Sequence, residues 1–260
     1  MSTTRHPAHD ELVQAVRDWF HEPFQEMGYQ AERRRWGTYW STRHVYIEDL
    51  HPDHVDGFLE NVRAYYEDRP VYINVDGRAL DAALGPALRD AGCVPGKTEI
   101  FLAHVGPPPE PFRLPGLAVE RVSTSNVEDF AWTKLQAFAE REEAVDPTEV
   151  AREVDQRLGD LRGTGNGLVA RMEGEVAGII WWYEQDEDLW IVLLGTRARF
   201  RDRGIATWLL TDRIREAYAR GFRSVMINVM TDNAGAIRLY RRLGFRDEVT
   251  WRRRYLVQAA

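Results

Sequence analysis

The sequence predicts a mixed α/β fold, an α+β arrangement around a mixed sheet, in two successive domains. Segments of strand and helix character alternate with short turns from Arg43 onward. Five prolines between Gly106 and Gly116 interrupt that alternation. An apolar run at 189–194 passes through the basic loop Arg201-Asp202-Arg203-Gly204 into a segment with Trp208, Leu209, Ile214 and Ala217 at roughly helical spacing.

With 260 residues, 44% of them hydrophobic and 29% charged, the chain has an ordinary globular composition and enough length for two cores. No stretch reaches the roughly 18 apolar residues of a membrane span. The start, Met1-Ser2-Thr3-Thr4-Arg5, lacks the apolar centre of a secretory signal, so a cytoplasmic location is expected, with no membrane partner. A net charge of −7 disfavours a general nucleic-acid partner, which needs surplus Lys and Arg to neutralise phosphates. The same charge suits a cationic or amine substrate. Cys93, the single cysteine, lies in an Ala-Gly-Cys-Val-Pro turn with no base beside it in sequence and reads as structural. His44, His51, His54 and His104 have no metal-ligand spacing, and no metal is expected.

In chain order, residues 9–27 read as an amphipathic helix interrupted at Pro23 and stopped at Gly28, and Arg33-Arg34-Arg35-Trp36 as a solvated edge. There follow a strand at 44–47, a helix at 52–66 with Pro52 in its first turn, a strand at 71–75, a helix ending at Ala91 and a strand at 98–105. Residues 106–116 form the break. A strand from Leu117, helices at 127–142 and 147–158, a hairpin of 168–172 with 175–184, and a strand to Leu194 come next. The helix after the basic loop runs to Arg220 with Gly221 as its cap, and 224–229 is the last predicted strand.

The loop sits at a helix N-terminus, where unpaired N–H groups and the positive end of the dipole converge, and Gly204 and Ala206 let an anion approach the main chain. After the 224–229 strand comes Asn233-Ala234-Gly235-Ala236-Ile237-Arg238-Leu239-Tyr240-Arg241-Arg242-Leu243-Gly244-Phe245. Asn233 can cap this helix, Ala236 keeps its first turn slim, and Tyr240 lies one turn further on. Arg201, Gly204 and Ala206 fill the acyl-CoA loop pattern of the GCN5-related N-acetyltransferase (GNAT) superfamily, and Asn233, Ala236, Tyr240, Gly244 and Phe245 fill its second signature. The chain therefore resembles a GNAT protein over residues 117–260.

That resemblance implies a sheet that splits where the family's strands four and five diverge, here at 189–195 and 223–229, with the pantetheine arm in the split. It implies acetyl-CoA as cosubstrate. Main-chain groups of Arg201, Asp202, Arg203, Gly204, Ile205 and Ala206 would hold the pyrophosphate, flanked by Thr207 and by Leu194, Gly195 and Thr196 at the strand end. Asn233 and Ala236 would lie beside the cofactor arm, and Tyr240 would face the thioester sulfur as proton donor. The acceptor would be a small-molecule amine, and the protein a monomer or homodimer. Many family members carry a Glu on strand four as general base, and the strand Leu189-Trp190-Ile191-Val192-Leu193-Leu194 has none. Glu187 or Asp188 at its start, or Glu142 and Glu143, acting through water, stand as alternatives, as does an amine that needs no base.

Residues 1–106 end in a strand, helix and strand similar in order to the end of a GNAT domain but without either signature. The expected organisation is a degenerate GNAT-like or accessory α/β domain at 1–106, a linker at 107–116 and a catalytic domain at 117–260. Mycothiol synthase and the Fem-type peptidyltransferases are similar in layout. A longer acyl group, a protein amine, or a catalytically silent acyl-CoA sensor are the rival functions.

Overall fold

The computed structural model describes residues 7–19, 30–139, 145–163 and 165–258. Contacts divide the chain into two compact units. The first, here the C-terminal unit, takes Met1–Leu12, Ala103–Asn228 and Arg238–Asp247; the second, the N-terminal unit, takes Val13–Leu102, Val229–Ile237 and Glu248–Ala260. Among the described residues no helix is long and apolar enough to cross a membrane.

The C-terminal unit is built on β6 (Leu117–Arg121), β7 (Gly165–Met172), β8 (Glu175–Gln185) and β9 (Asp188–Thr196), successively antiparallel, with β10 (Ser224–Met230) parallel to β9. The β7–β8 turn, Glu173-Gly174, holds both residues at positive φ, the geometry that matches strand twist in a two-residue hairpin. Two helices, α4 (Val127–Phe138) and α5 (Pro147–Asp160), connect β6 to β7, and α6 (Ile205–Ala219) crosses from β9 to β10. The run Val176-Ala177-Gly178-Ile179-Ile180-Trp181-Trp182 in β8 is apolar throughout because both of its faces are covered. Trp181 meets Phe130 of α4 edge-on at 5.1 Å, while Trp182 on the other face lies under the Arg213 guanidinium of α6. Asp146 caps α5 through the Thr148 N–H at 2.8 Å, with Pro147 in the first helical position.

The N-terminal unit repeats the order found from β7 onward, three antiparallel strands followed by a helix and a parallel strand. Strands β1 (Ala31–Arg34), β2 (Gly37–Trp40) and β3 (His44–Ile47) are antiparallel, and β4 (Val71–Asp76) is parallel to β3 after α2 (Val55–Tyr65). Helix α3 (Arg78–Asp90) and β5 (Val94–His104) follow. Its core gathers Tyr39, Val45, Phe58, Leu59, Val62, Ile73 and Leu88, all essentially inaccessible. Cys93 belongs to this core, and burial pushes its thiol up to about 11. The opening helix α1 (His9–Trp19) buries Leu12 and Val16.

Three strands, β1, β2 and the last one of the chain, stand where the sequence pattern predicts none. The arginines at 33–35 belong to the β1–β2 hairpin, whose first strand is exposed apart from its half-buried first residue and so lacks an apolar alternation. The chain's last strand, β11 (Phe245–Val257), runs antiparallel to β4 and lies between β4 and β5. Arg252 of β11 is fully buried and grips Asp76 of β4 with two bonds, Nε to Oδ1 at 2.5 Å and Nη2 to Oδ2 at 2.7 Å. Rings of Tyr46 and Phe101 flank its guanidinium at 4.9 and 5.0 Å, and buried Glu99 binds Arg254 at 2.8 Å.

Candidate active site

Strand β9 pairs with β8 over its whole length, but β10 follows it only from Asp188↔Ser224 to Ile191↔Ile227. Residues 192–196 therefore continue without a β10 partner. Burial changes at the same point, from fully buried over 188–191 to half-buried at Val192, Leu193, Leu194 and Thr196. Peptide groups on such a strand edge are free to bond an extended, amide-bearing ligand. Gly195 remains buried beneath Ala137 and Phe138 of α4, and the buried Thr196 hydroxyl has no hydrogen-bond partner.

Beyond Thr196 a 3-10 turn, Ala198–Phe200, leads into two left-handed residues, Asp202 at φ 60° and Gly204 at φ 84°. Asp tolerates this conformation better than most side chains, and glycine adopts it freely. Gly204 is the N-cap of α6; no side chain caps the helix, and no acidic residue occupies its first turn. The N–H groups of Ile205, Ala206 and Thr207 thus face outward with the positive end of the dipole uncompensated. Ile205 is buried and anchors the turn, while Ala206 and Thr207 stay half-exposed.

The loop arginines have distinct positions. Arg201 Nε and Nη2 donate to the carbonyls of Thr196 at 3.3 Å and Ala137 at 3.0 Å, which ties the loop to the ends of β9 and α4. Arg203 pairs with Glu173 and Arg199 with Glu175, both at the β7–β8 turn. Helix α7 (Ala234–Arg242) reaches the same place, where Arg242 Nη2 donates to Thr207 Oγ1 at 3.4 Å.

Tyr240 lies on α7 and is 6% exposed. Burial alone holds its phenol above the ordinary value, so it stays protonated throughout the neutral range. Its ring rests on Phe245 at 5.8 Å, and Phe245 in turn meets His104 at 5.6 Å. The Tyr218 hydroxyl donates to the His104 carbonyl at 2.7 Å, which leaves it to accept from His104 Nδ1 at 2.9 Å. Burial lowers the His104 pKa and favours this neutral tautomer. Gly244 has φ 99°, and a Cβ there would stand 2.8 Å from His104 Nε2, so both conformation and space exclude a side chain. His104 and Tyr218, which sequence pattern did not single out, are therefore the support behind Tyr240.

Asn233 Oδ1 accepts from the Ala236 N–H at 3.1 Å and caps α7, with Ala236 half-buried. Glu187 lies elsewhere. It sits in the β8–β9 turn with its side chain 72% exposed, 3.5 Å from Arg223. Five residues of extended strand, about 17 Å, separate it from the point where β10 leaves β9. Neighbouring Asp188 accepts from Arg223 at 2.9 Å and Ser224 at 2.6 Å and is buried. Both therefore stand at the end of β9 opposite residues 192–196. Glu142 and Glu143 lie outside the described residues.

The equivalent crossover of the N-terminal unit, from β3 to α2, carries Glu48, Asp49 and Asp53 where the C-terminal loop carries Arg197, Arg199, Arg201 and Arg203. Repetition of strand order with reversal of loop charge leaves one anion site of this type in the described chain.

Strand order and the loop-to-helix crossover together define a GNAT-type fold. Residues 129–245 match the acetyltransferase (GNAT) family. It is 27% identical over 141 residues to a mycothiol acetyltransferase of Streptomyces avermitilis, covering 53% of this chain and 46% of the relative. A mycothiol acetyltransferase of Streptomyces coelicolor is 29% identical over 140 residues, covering 53% of this chain and 45% of the relative. The match thus spans about half the length of these curated relatives. A tandem GNAT protein from the clavulanic acid biosynthesis pathway shares the fold at a TM-score of 0.62 and 14% identity, over 89% of this chain and 81% of its own. The duplicated strand order is a tandem GNAT arrangement.

Proposed function

We propose that the chain transfers an acetyl group from acetyl-CoA directly to the amine of a small molecule. The observation that carries this proposal is the conjunction, within one unit, of a strand edge left by its neighbour and an uncapped helix N-terminus at the end of that strand. The fit to acyl-CoA is chemical: peptide edges for the pantetheine amides, outward N–H groups and no first-turn carboxylate for the pyrophosphate. The two relatives named for mycothiol support acetyl as the acyl group and a small molecule as the acceptor.

In this proposal Val192–Thr196 hold the pantetheine arm, and the N–H groups of Ile205, Ala206 and Thr207 hold the pyrophosphate. Asn233 caps α7, and Ala236 keeps its first turn slim. Bound acetyl-CoA supplies an activated thioester carbonyl. The amine nitrogen forms its bond to that carbon, loses a proton to water, and the C–S bond breaks. Tyr240, kept protonated by burial, donates to the departing thiolate. Its ring is held for that task by Phe245, His104 and Tyr218. Strand residues 192–196 provide no carboxylate, so the proton of the acceptor nitrogen leaves through water, with Glu142 or Glu143 as its acceptor, or is lost before the amine binds. The same absence favours one other function, an acyl-CoA-binding protein without transfer.

Release of free CoA thiol, measured with acetyl-CoA against amines grouped by charge, decides between them. Thiol release with one acceptor class supports transfer. Binding of acetyl-CoA without release by any amine leaves the binding protein, and failure to bind acetyl-CoA overturns both.

A further inference from the structure

The Pro-rich segment is fastened along α6. It leaves β5 at His104, whose carbonyl is held by Tyr218, and the Pro109 carbonyl accepts from Arg215 Nη1 at 2.9 Å. At the other end of the helix, ring carbons of Phe112 stand 3.2 Å from the position a Cβ on Gly204 would take, and a Leu114 methyl 3.8 Å from it. Five extended residues from Pro109 to Leu114 span about 17 Å, matching the roughly 16 Å rise of α6 from Gly204 to Arg215. The segment therefore runs antiparallel to α6 as a strap and delivers Phe112 to the N-cap.

There the ring is 41% exposed. Prolines 107, 108, 109 and 111 precede it and reduce the freedom of the strap. We propose that Phe112 is a stacking platform for the purine base of the acyl-CoA. This rests on the acyl-CoA site proposed above. With the pantetheine arm along β9 and the pyrophosphate at Ile205–Thr207, the nucleoside leaves the pyrophosphate away from β9, and Phe112 offers its free π-face at the rim of that same helix terminus. A pre-positioned aromatic ring gains stacking energy at little ordering cost. The N–H groups at Ile205–Thr207 select only for negative charge, so Phe112 adds selection for the nucleotide end of the ligand over a simple phosphate.

Titration calorimetry on the full chain tests this with CoA and with 4′-phosphopantetheine, which keeps the arm and a phosphate but lacks the nucleoside. Phe112→Leu, which retains an apolar contact on Gly204, and Phe112→Ala are expected to weaken CoA binding about tenfold, equivalent to about 1.4 kcal/mol. Both should leave 4′-phosphopantetheine binding unchanged, and Phe112→Trp should bind CoA at least as tightly as the parent. Unchanged CoA affinity in Phe112→Leu, or an equal loss for both ligands, overturns the platform. Absence of CoA binding by the parent protein overturns the acyl-CoA site itself, a separate outcome.

Discussion

Replacing His44 by Gln removes a group whose proton affinity the fold suppresses. The imidazole stacks on Tyr72 at 5.3 Å and its Nδ1 faces the Asn74 amide at 3.4 Å. Burial is the main cause of a pKa lowered from 6.5 to about 4, with the Arg254, Arg252 and Arg43 charges adding to it. Because the folded value lies below the unfolded one, the contribution is complete above the unfolded pKa and is lost as pH falls through about 6.5 toward 4. Below 6.5 the unfolded chain takes up the proton first. Linkage across these two values gives a loss of about 2 kcal/mol at about pH 5 and about 3 kcal/mol at about pH 4. Urea unfolding followed by tryptophan fluorescence at about pH 7.5 and about pH 5 measures it. The parent should lose about 2 kcal/mol more stability between these pH values than His44→Gln. Parallel pH dependence in the two proteins would refute the account.

Tyr240→Phe should lower kcat about a hundredfold with KM for acetyl-CoA unchanged, since it deletes only the proton donated to the thiolate; steady-state thiol release checks it, and unchanged turnover removes the donor role. Gly204→Ala forces a side chain into the left-handed region at φ 84° and against the Phe112 ring, so acetyl-CoA binding should weaken about tenfold while circular dichroism stays native. Retained affinity by calorimetry would show that the N-cap does not hold the phosphates. Arg252→Ala leaves Asp76 without its arginine, while Glu99 keeps Arg254, and should cost about 3 kcal/mol in urea unfolding. A loss below about 1 kcal/mol would place that ion cluster among pairs of surface strength.

What could be read from sequence was local. The basic loop, the helix behind it and the Asn233-to-Phe245 stretch each lie within one turn or one helix, where spacing maps directly onto geometry. Strand β11 shows the opposite case. Its run Trp251-Arg252-Arg253-Arg254-Tyr255 looks too charged for an interior strand, and becomes one only because Asp76 and Glu99 meet it from 176 and 155 residues away. Proximity of Glu187 to β9 in sequence likewise says nothing about which end of the strand opens. Phe112 was hidden by composition, since a Pro-rich stretch announces a break in secondary structure but not what it packs against. His104 carried no motif, and its place behind Phe245 and Gly244 follows from packing alone.

The position of β11 has a practical consequence for anyone dissecting this protein. A fragment ending before Pro107 lacks the strand between β4 and β5, so two open edges and the acids Asp76 and Glu99 are left without their arginine. A fragment beginning after Gly116 carries that strand as an orphan, with a guanidinium shaped for burial and no carboxylate to receive it. One compact unit is built from both ends of the chain, so co-expression or a circularly permuted chain, rather than truncation, is the route to studying it.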